Sequence, residues 1–133
     1  MYVPDMILTA KSVEDVKSII NEKLIRENVQ TVMVIDGAGN ILAHCGEDAD
    51  GLDAISLAAL TAANFGATSQ IAKLIGENDF SLLYHKGEKA NIHFARLGGE
   101  MILVSIFGDD VSLGLVRVRV EELADDIKQI FEG

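Results

Sequence analysis

The chain has 133 residues, 49% of them apolar and 24% charged, a balance that suits one folded domain spanning residues 1–133 with a buried core. Its formal net charge of −10, from 11 basic and 21 acidic residues, repels phosphate backbones and anionic lipid, so nucleic acid and membrane surfaces are poor partners. A single cysteine leaves no internal disulfide, and the N-terminal MYVPDMILTAKSVEDV lacks a basic stretch followed by a long apolar one, so a cytoplasmic protein is expected.

Pro4, the only proline, sits in a short N-terminal lead. Ser12-Val-Glu-Asp15 resembles a capping box, with Asp in place of the usual Glu or Gln. Behind it Val13, Val16, Ile20 and Leu24 recur at helical spacing, which predicts a first helix to about Glu27 with Asn28 as its C-cap. Val32 to Ile35 is apolar on both faces, as a central strand is, and Ile41 to Cys45 makes a second strand. Between them lies Asp36-Gly-Ala-Gly-Asn40. A dinucleotide loop would need a glycine at position 42, where Leu42 stands, and a helix directly afterwards. Another strand follows, and no GxxxxGK[ST] occurs, so this stretch reads as a hairpin turn.

Residues 54–76, AISLAALTAANFGATSQIAKLIG, carry one charge, Lys73. Thr61, Asn64, Thr68, Ser69 and Gln70 argue against a membrane span. A helix so bare of charge in a water-soluble domain is covered on more than one side. Ala59, Ala63 and Ala67 line one strip, and Ala58, Ala62 and Gly66 the next, so a second helix can approach closely. A dimer seam is expected along Ala59, Ala62, Ala63, Gly66 and Ala67.

Three more strands are expected, at Phe80 to His85, Ala90 to Leu97 and Glu100 to Phe107, the last two joined by a Gly98-Gly99 turn. Leu115 to Val120 alternates like a strand. However, Leu113, Val116, Val120, Leu123, Ile127 and Ile130 follow 3-4-3-4-3 spacing, which predicts a terminal helix from Leu113 to Glu132. The order is α-β-β-α-β-β-β-α, an α+β domain.

Candidate chemistry is thin. His44 and Cys45 are strand neighbours and point to opposite faces, so they form no dyad, and Cys45 reads as a small core residue on the face of Ile41 and Ala43. With Gly87-Glu88 as a turn, His85 faces Ala90 and His93 faces Leu82, on opposite faces of the sheet. No metal-ligand spacing is present. Glu47, Asp48, Asp50 and Asp53 crowd one loop without calcium-loop spacing; Asp53, Asp109 and Asp110 suit helix N-termini. No nucleophile-plus-base set emerges, so neither catalytic residues, a cofactor nor an enzyme is expected.

The hairpin VMVIDGAGNILAHCG, the alanine-rich LDAISLAALTAANFGATSQIAKLIGE and the stretch MILVSIFGDDVSLGLVRV resemble the roadblock/LC7 domain, most closely prokaryotic members of the MglB type, over about Ser12 to Phe131. The resemblance implies a profilin-like five-stranded antiparallel sheet with helices on both faces. It implies dimerisation through the central helix and an edge strand, which adds Ser81, Leu82, Leu83 and Tyr84 to the expected interface. It implies a small Ras-like GTPase as partner. MglB-type members speed GTP hydrolysis without supplying the catalytic arginine, by biasing the switch regions of the GTPase. Asn64, Gln70 and Lys73 are the expected GTPase contacts, whereas Arg26, Arg96, Arg117 and Arg119 read as surface ion-pair partners. Three alternatives stand beside a homodimeric GTPase activator. One is a dimeric scaffold that leaves hydrolysis unchanged, another a heterodimer with a paralogue, and the third a thiol sensor or small enzyme using Cys45.

Overall fold

In chain order, the computed structural model has helix α1 (Ala10–Lys23), a 3-10 turn (Ile25–Glu27), strands β1 (Thr31–Ile35) and β2 (Ile41–Gly46), helix α2 (Ala54–Leu74), strands β3 (Leu83–Lys86), β4 (Asn91–Gly98) and β5 (Met101–Phe107), and helix α3 (Leu113–Glu132). It describes residues 8–47, 53–80 and 83–132. The strands form one antiparallel sheet in the order β2-β1-β5-β4-β3. The α+β order and antiparallel sheet are those expected from the sequence.

Helix α1 starts earlier than its sequence suggested. Thr9, not Ser12, is the N-cap: its Oγ1 accepts from the Ser12 amide at 3.0 Å while the Thr9 amide donates to Ser12 Oγ at 2.9 Å. Ser12 thus occupies the returning position of the box, usually held by Glu or Gln. The α-helix also stops at Lys23, and the chain tightens through Ile25–Glu27 before Asn28 turns left-handed at φ 71°. Asn is one of the few residues other than Gly that adopts this conformation readily.

In the first hairpin, Asp36 holds the turn. Its Oδ1 accepts from the amides of Ala38 and Asn40, at 3.0 and 2.8 Å, and its Oδ2 from the Asn40 side chain at 2.9 Å. One residue breaks the ladder. Val34 opposes Ala43 but Ile35 opposes Ile41, so Leu42 is the extra residue of a bulge. Ile41 therefore packs against the α2 side, and the face expected for Cys45 holds Ala43 but not Ile41.

The β3–β4 register also differs from expectation. His85 opposes Ile92 and Tyr84 opposes His93, because the loop is four residues, Gly87 to Ala90, closed by the Gly87 amide on the Ala90 carbonyl at 3.0 Å. The slip is an even number of residues, so the two histidines still face opposite sides. At the next hairpin Gly98 pairs with Met101, which makes Gly99-Glu100 the turn rather than Gly98-Gly99. Both glycines have positive φ, at 112° and 56°.

The sheet separates two apolar cores. On one face α1 and α3 bring Val16, Ile20, Leu123, Ile127 and Phe131 against Val32, Val34, Leu103 and Phe107. On the other, α2 alone sets Ala58 and Phe65 against Met33, Ile35, Phe94, Ile102 and Val104. Successive β1 residues alternate between the two, which is why that strand reads as continuously apolar.

Candidate interaction surface

Helix α2 begins at Asp53. Its Oδ1 accepts from the Ser56 amide at 3.0 Å and its Oδ2 from the Ser56 hydroxyl at 2.7 Å. These bonds, the amide's first, hold the Asp53 carboxyl below the usual carboxylate range. Lys73 lies in the last turn, where a cation suits the helix dipole. Ala58, Thr61, Phe65 and Ala72 are buried against the sheet.

The opposite face carries the information. Leu60 is 70% exposed, Ile71 53% and Leu74 86%, with exposed Ala59, Ala63 and Ala67 between them. Ile55 and Ile75 extend the apolar surface at either end. Among the described residues, the only other large exposed hydrophobics are Leu8 and Val118. Soluble proteins scatter single apolar side chains over their surfaces, but seldom line them up on one helix.

The expected seam residues divide. Ala59, Ala63 and Ala67 lie on this outer face, and Gly66 at its flank opens to space, with nothing within 4 Å of an added Cβ. Ala58 is buried and Ala62 packs against the sheet-side core, so the second small-residue strip turns inward. Leu83 and Tyr84 are half-buried on β3, which is an edge strand; Tyr84 stacks on Phe107 with ring centres 6.3 Å apart. Ser81 and Leu82 lie outside the described residues, as do Asp48 and Asp50 of the acidic loop.

Gln70, Lys73 and Asn64 do not form one patch. Gln70 shares the central stripe with Ala63 and Ala67. Asn64 and Lys73 are separated by about two and a half helical turns, which puts them on opposite flanks. The large apolar side chains Leu60, Ile71 and Leu74 belong to the candidate surface as well, and a reading of small residues alone leaves them out. Their helical spacing from Ala63 and Ala67 was the available signal.

Of the four arginines, Arg96 is held by Asp79 at 2.9 Å and Ser69 at 3.2 Å, with its guanidinium 5.2 Å from the Phe65 ring centre. Arg119 pairs with Glu27 and Glu122, at 3.3 and 3.4 Å. Asp109 does not serve as a helix N-terminal charge. Its Oδ1 accepts from Asn91 at 3.0 Å and Lys86 at 2.9 Å, whereas Ser112 Oγ accepts from the Leu115 amide at α3's start. Asn91's bond and then Lys86's hold the Asp109 carboxyl below its ordinary range.

Cys45 is buried, and burial pushes its thiol pKa up, away from the reactive thiolate. Among the described residues no group of three His, Cys, Asp or Glu stands close enough to hold a metal ion. No described helix is long and apolar enough to cross a membrane.

Residues 19–107 match the sequence model of a family described as Roadblock/LC7 domain. An uncharacterized protein of Methanocaldococcus jannaschii is 30% identical over 120 residues, covering 87% of this chain and 99% of the relative. Myxococcus xanthus MglB is similar at a TM-score of 0.83 and 31% identity, over 94% of this chain and 93% of its own. An MglB with a tetrameric arrangement gives 0.87 at 28% identity, over 98% of both chains.

Proposed function

The chain belongs to the Roadblock/LC7 domain family, and on that premise we propose that it is a homodimeric regulator of a small Ras-like GTPase, of the MglB type. The observation that carries the dimer is the outer face of α2. Leu60, Ile71 and Leu74 stand in water, and the alanines between them leave room for a second backbone. A two-fold pairing covers this surface with its own copy, since a two-fold interface is self-complementary. The tetrameric arrangement of one similar MglB supports self-association. Strand β3, at the sheet edge, offers a second stretch for pairing between copies.

The GTPase partner rests on the likeness to MglB proteins and on what the roadblock resemblance implies. In a dimer closed over the α2 stripe, Gln70 becomes part of the seam. Lys73 and Asn64, on the flanks, stay available to a partner. On the MglB likeness, stimulation proceeds through the GTPase's own residues, by favouring its competent switch conformation.

The test is single-turnover GTP hydrolysis by a Ras-like GTPase from the same genome, with and without this protein. Acceleration that falls with Lys73→Ala supports the reading. GTP-dependent co-elution without acceleration makes the protein an adaptor. The absence of both acceleration and co-elution refutes the GTPase reading.

A further inference from the structure

Strand β3 is the shorter of the two edge strands, four residues against six in β2. It runs Leu83 to Lys86 against Phe94 to Asn91 of β4. Leu83 and Tyr84 are half-buried, and His85 and Lys86 are exposed. So little apolar anchorage puts a strand at the low end of local stability, where it can open without the rest of the fold. Charged contacts hold it at both ends. Lys86, its last residue, donates to Asp109 Oδ1 at 2.9 Å. The same oxygen accepts from Asn91 at 3.0 Å. Asn91, the first residue of β4, is buried and also donates to the Phe107 carbonyl at 3.3 Å. Asp109 thus fastens the β3–β4 hairpin to the loop after β5. Ahead of β3, Asp79 pairs with Arg96 of β4 at 2.9 Å.

We propose that Asp109 is a positioning residue for self-association: by pinning Lys86 and Asn91 it keeps β3 in the sheet as the edge against which a second copy pairs, a role that rests on the homodimeric reading above. An edge that is open part of the time lowers apparent affinity by the fraction of time it is formed. A two-fold pair needs two such edges, one from each copy. The Lys86–Asp109 pair is largely exposed, so water and salt screen it and its effect is modest. The apolar stripe on α2 does not depend on Asp109, so the pin tunes the dimer rather than creating it.

The test is amide exchange and sedimentation on the full chain. The Gly87 amide bonds the Ala90 carbonyl, so the His85 amide, two residues earlier, also points at β4 and reports whether β3 is paired. In dilute, monomeric protein, Asp109→Ala should speed exchange at His85 about three-fold, within the range for an exposed ion pair, with the urea midpoint little changed. At higher concentration it should weaken the dimer by a similar factor. Asp109→Asn keeps an acceptor oxygen for both donors and should fall between the two. Asp110→Ala, at the neighbouring carboxylate, should alter neither. Unchanged His85 exchange overturns the pin. Faster exchange with an unchanged dimer overturns its link to self-association. A native chain that stays monomeric at micromolar concentration overturns the homodimer reading and this role with it, and that result is seen before any substitution is made.

Discussion

Helices α2 and α3 are nearly the same length, 21 and 20 residues, and each packs one face against the sheet. Their outer faces are opposites. α3 buries Val116, Val120, Leu123, Ile127 and Phe131, and turns Arg117, Glu121, Glu122, Asp125, Asp126 and Lys128 to water. α2 turns Ile55, Leu60, Ile71 and Leu74 to water and carries one charge, Lys73. Covering a sheet accounts for the inner face of both. Only α3 is finished as a monomer's surface helix. The outer face of α2 is therefore more apolar than the fold of one chain requires.

The sharpest way to break that contrast is to give α2 the charge that α3 already has. Gly66→Glu should abolish self-association and leave the fold intact. An added Cβ there meets nothing within 4 Å, and any residue but proline improves on glycine inside a helix, by up to about 1 kcal/mol. Sedimentation of the variant checks it; a dimer persisting at micromolar concentration counts against the seam.

Truncating one leucine on each helix sharpens the comparison. Leu123→Ala, in the core at 0% exposure, should cost about 2–5 kcal/mol of stability in urea unfolding. Leu60→Ala should change the stability of dilute monomer by less than about 0.5 kcal/mol and weaken the dimer instead. Equal losses would mean that Leu60 is part of the monomer's core.

The third test uses acid. Burial, then the charge of Arg117, pushes His93 from an ordinary 6.5 down to about 4. Unfolded His93 binds its proton at the higher pH, so unfolding takes up a proton between these values. Stability should then fall as pH drops from 6.5 towards 4, by on the order of 3 kcal/mol at its limit. Replacing His93 with Gln should flatten that slope, read from urea midpoints across the range.

Much of the architecture was legible in the sequence, and the errors have physical causes. The α3 periodicity outweighed the strand-like alternation of Leu115 to Val120 because only a helix puts Val116, Val120, Leu123 and Ile127 on one face. The start of α1 was misplaced because Ser12 can serve either as cap or as the returning member of the box; the Thr9 hydroxyl settled it. The Leu42 bulge left no mark in the pattern, since Ile41 and Leu42 are both apolar and either face accepts them. The exposed apolar face of α2 was visible as missing charge, but which alanines line it was not. A strip of alanines fits a core as well as a contact, and Ala58 and Ala62 went inward.

The smallest expected effect concerns how α2 is seated. α3 is tied to α1 and the turn after it by a network, in which Lys23 and Arg119 share Glu122, at 3.2 and 3.4 Å, and Arg119 also reaches Glu27. Near its C-terminal end α2 has Arg96, which bonds Ser69, pairs with Asp79 just beyond the helix and lies over Phe65. Arg96→Lys keeps the charge but loses the flat fork that makes these contacts together. Because Arg96 is 40% exposed, the ion pair is screened, and the loss should be only about 1 kcal/mol in urea unfolding. The same variant should weaken the dimer, since a helix less firmly seated presents Ile71 and Leu74 less uniformly to a second copy. Arg119→Gln is the matched control on α3: it should show a comparable small loss of stability with dimer affinity unchanged. A dimer equally indifferent to both substitutions would mean that the seating of α2 does not govern the seam.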